Sequence, residues 1–427
     1  MALSQHAHSA SAVFRLDAPE QLDFQSLEQA AAAAQRGAWR RLAALFDDAA
    51  QQHCMRFSVE PDSAVWRLRF HCVDGYREQI IEEPTDLIWA LDTLQLTLWG
   101  DHYHTVTNRE RRFTRCSSAT PQVISVSVLH AVNGDVLQFD IEPLVPAPPT
   151  IDALGMTAKQ LIDLRTRLAQ KQGIVLLTGT EPQRLHNTYL AINQELISPE
   201  NQVLSISTRH RYSLPRTNQV EITSAKPKKR NRAWQHALDS HHNTLLIDGP
   251  VPNRFHELIA ERCDSGILTI QSLHTIRPTH LLNDLNAGIL KRTPLQRAVT
   301  TVVTAYSMLS ICDNCATTAH LDDTTLQWLD KLRTPASENV IDWLTDGNTE
   351  QFMYGEGCDA CADTGVAAPL MIYDIVHRNS KTNLFPITYS ERPNQGLTLQ
   401  RQLMTLAKAG KIPLSEVIRI LQQSTSE

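Results

Sequence analysis

Residues 179–187 read GTEPQRLHN, set between the apolar run GIVLLT and the stretch TYLAINQEL. An apolar strand running into a helix is the frame in which a phosphate-binding loop sits, and such a loop follows the pattern Gly-x-x-x-x-Gly-Lys-[Ser/Thr]. Gly179 satisfies the first position and little else in the stretch follows. The frame predicts the fold, and the departures from the pattern bear on the chemistry.

Working outward, apolar strand-like runs recur at 174–177, 203–206, 245–247 and 267–270, with helical stretches between them. That alternation predicts an α/β domain around a mainly parallel sheet. Thr157 and Gln160 form a capping-box pattern ahead of Leu161, Leu164 and Leu168, so a helix is expected to enter this domain there. A last helix is expected around 415–421, where Val417, Ile418 and Leu421 share a face. Upstream, EPLVPAPPT holds prolines at 143, 146, 148 and 149, which suppress helix and ladder pairing and mark a domain boundary. Before it, residues 26–51 carry helical spacing. Trp66, Leu68 and Phe70 then alternate with Arg67, Arg69 and His71 at the period of a half-buried strand. Asp74-Gly75 supplies a hairpin turn, and the β-branched runs within 123–142 break at Asn133-Gly134. These elements predict a small α+β domain.

The chain has 427 residues, 42% of them hydrophobic, enough for two or three cores, and a net charge of −6. No global basic field argues for nucleic acid. The start lacks an apolar leader and no run of about 18 apolar residues occurs, so the chain reads as soluble and cytoplasmic. Of eight cysteines, Cys54, Cys72, Cys116 and Cys263 are scattered singly, which speaks against a secreted disulfide framework. The others form Cys312-Asp-Asn-Cys315 and Cys358-Asp-Ala-Cys361, with 42 residues (316 to 357) between the pairs. Two such knuckles can supply four thiolates to a tetrahedral Zn²⁺, closed and therefore structural; the alternatives are two unrelated thiol pairs or one redox pair.

GIVLLTG with TYLAINQEL, then YSLPRTNQVEI, SGILTIQSLHT and ICDNC with YGEGCDACADTG occur in an order that resembles the assembly ATPases of type II secretion and type IV pili (the GspE/PilB family). FSVEPDSAVWRLRFHCVDGYRE and IDALGMTAKQL are similar to the segments that precede that family's motor. The resemblance spans nearly the whole chain from about residue 40. It implies an α/β RecA-like P-loop motor with a mainly parallel sheet over 156–427, including a four-cysteine zinc-binding module at about 310–365. It further implies a short extension at 1–25, a PAS-like α+β domain at 26–142 and a Pro-rich linker at 143–155. Family members form hexamers at the cytoplasmic face of the inner membrane. The partners implied are an active paralogous ATPase and inner-membrane platform or docking proteins, in a homo- or hetero-hexamer.

The family's phosphate loop reads Gly-Pro-Thr-Gly-Ser-Gly-Lys-Thr-Thr. On residues 179–187, its later glycines become Pro182 and Arg184, the lysine becomes Leu185 and the next threonine becomes His186. Pro182 has no N–H and cannot take positive φ. Leu185 removes the charge that reaches the β/γ-phosphates, and His186 replaces the hydroxyl that holds Mg²⁺. Charge-assisted hydrogen bonds contribute about 1.5–3 kcal/mol each, so losing several would weaken nucleotide binding roughly a thousandfold. The acidic box EDPVEY corresponds to Ser207-Thr208-Arg209-His210-Arg211-Tyr212, and the catalytic glutamate to Gly249. Binding of ATP and Mg²⁺ is therefore doubtful, and the chain resembles a pseudo-ATPase. Two residues keep the alternative of an atypical ATPase open. Asp248, ending the strand TLLID, is either a Mg²⁺-supporting acid one residue out of register or an ordinary Asp at a turn. His274 matches the family's histidine box, a nucleotide sensor, or else persists as a buried hydrogen-bonding group. The run KPKKRNR (Lys226, Lys228, Lys229, Arg230, Arg232) has no aromatic interleaving for base stacking. It reads as a solvated loop or as a contact with a neighbouring subunit, and nucleic acid is not expected as a partner.

Overall fold

A computed structural model describes residues 14–15, 20–22, 36–52, 54–62, 65–72, 75–82, 84–100, 109–115, 122–143, 148–208, 210, 212–222, 226–275, 278–319, 352–361, 363–386 and 399–425. They divide into two compact units. The smaller comprises Ala18–Pro146 with Gly357–Pro369, and the larger comprises Ala147–Glu356 and Leu370–Glu427 with Met1–Asp17.

The first strand, β1 (Phe14–Arg15), belongs to the larger unit. The smaller unit follows with β2 (Glu20–Leu22), α1 (Arg36–Gln51), β3 (Cys54–Asp62), β4 (Val65–Cys72), β5 (Gly75–Ile81), α2 (Thr85–Trp99), β6 (Arg109–Arg115), β7 (Gln122–Ala131) and β8 (Gly134–Pro143). Its seven-stranded sheet has the order β2-β6-β7-β8-β3-β4-β5. The spacing in α1 buries Trp39, Leu42 and Phe46, and α2 adds Leu87, Leu91 and Leu94, against Phe57, Phe113 and Phe139 of the strands. The structure corrects one expectation here. Cys54 and Cys72 are not scattered singles: they stand opposite each other on β3 and β4 and form a disulfide. Adjacent antiparallel strands brought these two residues, 18 apart in sequence, into register. The expected helix is described over Arg36–Gln51, its residues 26–35 lie outside the described set, and so do Asp74 of the predicted turn and Cys116.

The larger unit continues with a 3₁₀ turn (Ile151–Leu154), α3 (Ala158–Ala169), β9 (Gly173–Gly179), α4 (Pro182–Glu195), β10 (Val203–Ser207), β11 (Tyr212–Ser213), β12 (Thr217–Glu221), α5 (Pro227–Asp239), β13 (Thr244–Asp248), α6 (His256–Asp264), β14 (Leu268–His274), α7 (Pro278–Leu290), α8 (Pro294–Ala298), β15 (Val299–Ile311), β16 (Ala316–Thr318), β17 (Met353–Gly355), β18 (Val366–His377), α9 (Leu399–Lys408) and α10 (Leu414–Thr425). Thr157 caps α3 through the reciprocal bonds with Gln160. The main sheet runs β12-β10-β13-β14-β9-β15-β18, and the pairs β10–β12, β10–β13, β13–β14, β14–β9 and β15–β9 are all parallel.

Both faces of this sheet are covered, as its continuous apolar strands require. Val175, Leu177, Leu246 and Ile270 pack against Leu164, Leu185, Tyr189 and Ile192 of α3 and α4. On the other face Ile174, Leu176, Leu245 and Ile247 meet Trp234, Leu238, Ile259 and Leu285 of α5, α6 and α7. Each such aliphatic side chain contributes about 1.5–3 kcal/mol on burial. The sheet thus has the mixed α/β architecture with mainly parallel strands expected from sequence. The basic run departs from expectation, because residues 227–232 open a helix instead of forming a loop. Trp234, Ala237 and Leu238, at helical spacing, bury one face of α5 and pull the run into the element while its cations stay exposed.

Candidate functional site

In a parallel sheet of this kind ligands bind beyond the carboxyl ends of the strands, and there β9 gives way to α4. Gly179 ends β9, and a Cβ built on it would come 2.9 Å from the Ala305 carbonyl oxygen on β15. The glycine is therefore demanded by strand packing, independently of any phosphate. Only Thr180 and Glu181 separate β9 from α4, whose first residue is Pro182. Proline suits that position because its fixed φ matches the helix and its missing N–H would have lacked a partner. Pro182, Gln183 and Arg184 thus lie in helical turns where the motif would have a loop.

The next side chains are placed by that helix. Arg184 donates from Nε to Glu181 Oε1 at 2.8 Å. Leu185 is 3% exposed and packs in the core with Tyr189 and Leu177. His186, 9% exposed, donates from Nδ1 to Asp248 Oδ2 at 2.9 Å. Asp248 ends β13 and also accepts the hydroxyls of Ser272 at Oδ1 (2.5 Å) and Ser207 at Oδ2 (3.4 Å). The three strand residues lie on the sheet face that α4 covers, so period-2 alternation in β10, β13 and β14 aims them at one another and at His186. Nearby, the buried Tyr189 hydroxyl pairs with Ser205 Oγ at 2.9 Å, and the Tyr189 ring stacks on His186. Burial, reinforced by the Asp248 charge, pushes the Tyr189 phenol well above its usual range.

His274 closes β14 and donates from Nε2 to the Thr180 carbonyl at 2.9 Å. It is exposed, which corrects the expectation of a buried group, because the strand ends there and the imidazole reaches back over the β9–α4 connection. The structure therefore brings His186 and Asp248 together, keeps Arg184 on Glu181 and ties His274 to the connection. The sequence reading missed Glu181, Tyr189 and Ser272. Glu181 stands inside the decisive nonapeptide, so a signal existed, while Ser272 gains meaning only through its neighbour on the adjoining strand.

Burial lowers the pKa of His210, the Val220 carbonyl, Glu221 and Asp248 oppose it, and His186 adds to it. Burial also lowers His242 and His377, the latter against the pull of Asp163. A histidine held neutral by the fold is protonated more readily once unfolded, at 6.5. The stability these three confer is complete above that pH and declines as the pH falls below it. Urea midpoints are expected to stay level from about pH 8 to about pH 7 and to drop toward about pH 5.5. A rise on acidification would contradict this.

The Sγ atoms of Cys312, Cys315, Cys358 and Cys361 all lie within 4.8 Å of one another. A tetrahedron with Zn–S of about 2.3 Å separates sulfurs by about 3.8 Å. Cys358 and Cys361 stand 3.7 Å apart, and the Cys358 and Gly365 amides donate to Cys361 Sγ at 3.2 Å. Such amide–sulfur bonds stabilise thiolates and orient ligands. Gly357, at φ +101°, lets the chain enter this knuckle, since a Cβ there would meet the Asp363 carbonyl oxygen at 2.7 Å. Donor set and spacing fit a metal ion that four thiolates would enclose.

No protein-family model matches the chain. Among curated proteins it is 22% identical over 269 residues to the Protein transport protein HofB homolog of Escherichia coli K12, covering 62% of this chain and 58% of that one. It is 20% identical over 285 residues to the Type II secretion system protein E of Klebsiella pneumoniae, covering 64% and 54%. The chain thus spans a little over half the length of these relatives. Among solved structures, the Legionella pneumophila ATPase DotB superposes with a TM-score of 0.56 at 11% identity, covering 95% of this chain and 98% of that chain. The pilus retraction motor PilT with bound ADP gives 0.50 at 12% identity, covering 90% and 96%. No helix among the described residues is long and apolar enough to cross a membrane.

Proposed function

We propose that this chain, which resembles the GspE/PilB-like secretion ATPases in sequence and carries an ATPase motor fold, serves a type II secretion or type IV pilus assembly machine without hydrolysing ATP. Its role in that reading is structural or regulatory. One observation carries it: the position of the phosphate-loop lysine holds Leu185, buried in the core between α4 and the sheet. A buried aliphatic cannot reach a phosphate, and the Asp248 carboxylate already accepts three hydrogen bonds.

Residues 26–142 would form the smaller module and 156–427 the motor, with the four cysteines at about 310–365 holding a structural Zn²⁺. The partners would be an active paralogous ATPase and an inner-membrane platform protein, in a self or mixed hexamer on the cytoplasmic side. The competing reading, an atypical ATPase using Arg184, Asp248 and His274, draws on the position of Asp248 at the carboxyl end of a central strand. It would require Asp248 to exchange His186 and two serines for Mg²⁺.

Calorimetric titration of metal-replete protein with ATP and Mg²⁺ separates the two. No heat up to about millimolar nucleotide is expected, and micromolar affinity would overturn the proposal.

A further inference from the structure

We propose that Glu181 is the residue that excludes nucleotide from this site, an internal carboxylate standing at the end of α4 where the phosphates of a nucleotide would be held. The inference rests on the reading of the chain as a non-hydrolysing member and gives that reading a cause beyond the missing lysine.

Glu181 is the N-cap of α4, a helix of 14 residues, and its backbone is extended there. The first turn of a helix leaves N–H groups without partners and carries the positive end of the helix dipole, which is why phosphates settle at such ends. This chain puts its own anion at that end. The Glu181 side chain is 6% exposed, its Oε1 is held by Arg184 at 2.8 Å, and its buried Oε2 has no hydrogen-bond partner among the described residues. A carboxylate oxygen left unpaired at a helix N-terminus stabilises nothing through a hydrogen bond of its own, yet it opposes any second anion brought near. Arg184, the one lysine or arginine of residues 179–187, already faces Glu181 and so is not presented to a ligand. The neighbouring cation position is closed in the same self-contained way, since His186, Ser207 and Ser272 donate to the oxygens of Asp248. Phosphate repulsion and cation exclusion thus come from different residues, and the first can be removed without touching the second.

Glu181→Ser is the variant of choice, because serine is a favoured N-cap and removes the charge while supporting the helix. Inorganic pyrophosphate, titrated calorimetrically without and with Mg²⁺ into the full chain, is the probe. Wild type is expected to give no heat. Glu181→Ser is expected to bind at least tenfold more tightly than wild type, equally with and without Mg²⁺, and more weakly as salt is raised. Glu181→Asp, which keeps the charge, is expected to stay silent. Should the serine variant melt early, Glu181→Gln serves as a second charge-removing variant. If folded Glu181→Ser or Glu181→Gln binds pyrophosphate no better than wild type, or if Glu181→Asp gains as much as they do, the inference is wrong while the non-hydrolysing reading stands. Tight binding of Mg²⁺ and ATP by wild type would instead remove both.

Discussion

Leu185→Lys, the substitution that restores the lysine of the phosphate-loop pattern, is expected to destabilise the protein by about 3 kcal/mol or more and to restore no nucleotide binding. The leucine is packed among Leu177, Tyr189 and Leu190 in one face of the core, at 3% exposure. Replacement removes about 1.5–3 kcal/mol of apolar burial and forces an ammonium either to be desolvated or to drag its stem out of the helix interface. In an active motif the lysine projects from a loop-to-helix junction toward open space. Here α4 starts at Pro182, so residue 185 falls on the inward face of a formed turn. Urea denaturation of wild type and variant, with ATP titration of whatever stays folded, measures both halves. A variant as stable as wild type would mean that the helix start is adjustable and the site less fixed than the packing indicates.

The second large effect belongs to the cysteines. In the proposed zinc-bound protein, chelation or Cys361→Ser is expected to release one zinc per chain and to expose the segment around the two knuckles to protease. Structural zinc contributes on the order of 10 kcal/mol to the folding of the module that binds it. Cys361 is demanding to replace, because its sulfur accepts two backbone amides besides lying within 4.8 Å of the other three sulfurs. Metal analysis by mass spectrometry, followed by limited proteolysis with and without chelator, reads the outcome. Protein isolated without metal and equally protease-resistant would count against a structural ion.

Much of the fold was legible in the sequence because its signals are local. The apolar runs of β9, β10, β13 and β14, the Thr157–Gln160 cap and the turn before Gly134 each lie within a few residues. Each is fixed by side-chain period or backbone preference. The two cysteine knuckles were legible for the same reason. The environment of Asp248 was not. Its partners lie 24, 41 and 62 residues away and meet it only because β10, β13 and β14 stack in register under α4. The disulfide between Cys54 and Cys72 depends in the same way on which strands lie side by side. The basic run misled for a different reason. Pro227 and five cations suggest a loop, but three apolar residues further along bury a helix face, and burial outweighs an unfavourable first turn.

The place of β9 in its sheet has a consequence for how the chain must be made. Every residue of this strand is buried, and it lies between β14 and β15. Its earlier partner begins at Leu268, so 89 further residues (180 to 268) must leave the ribosome before either edge of β9 can be paired. At about 5–20 residues per second, a seven-residue apolar segment waits roughly 4–18 s as an unmated edge on the nascent polypeptide. Helix α4, emerging directly behind it, can cover one face in that interval but neither edge. Production of this protein is thus expected to be sensitive to translation speed and to the supply of chaperones.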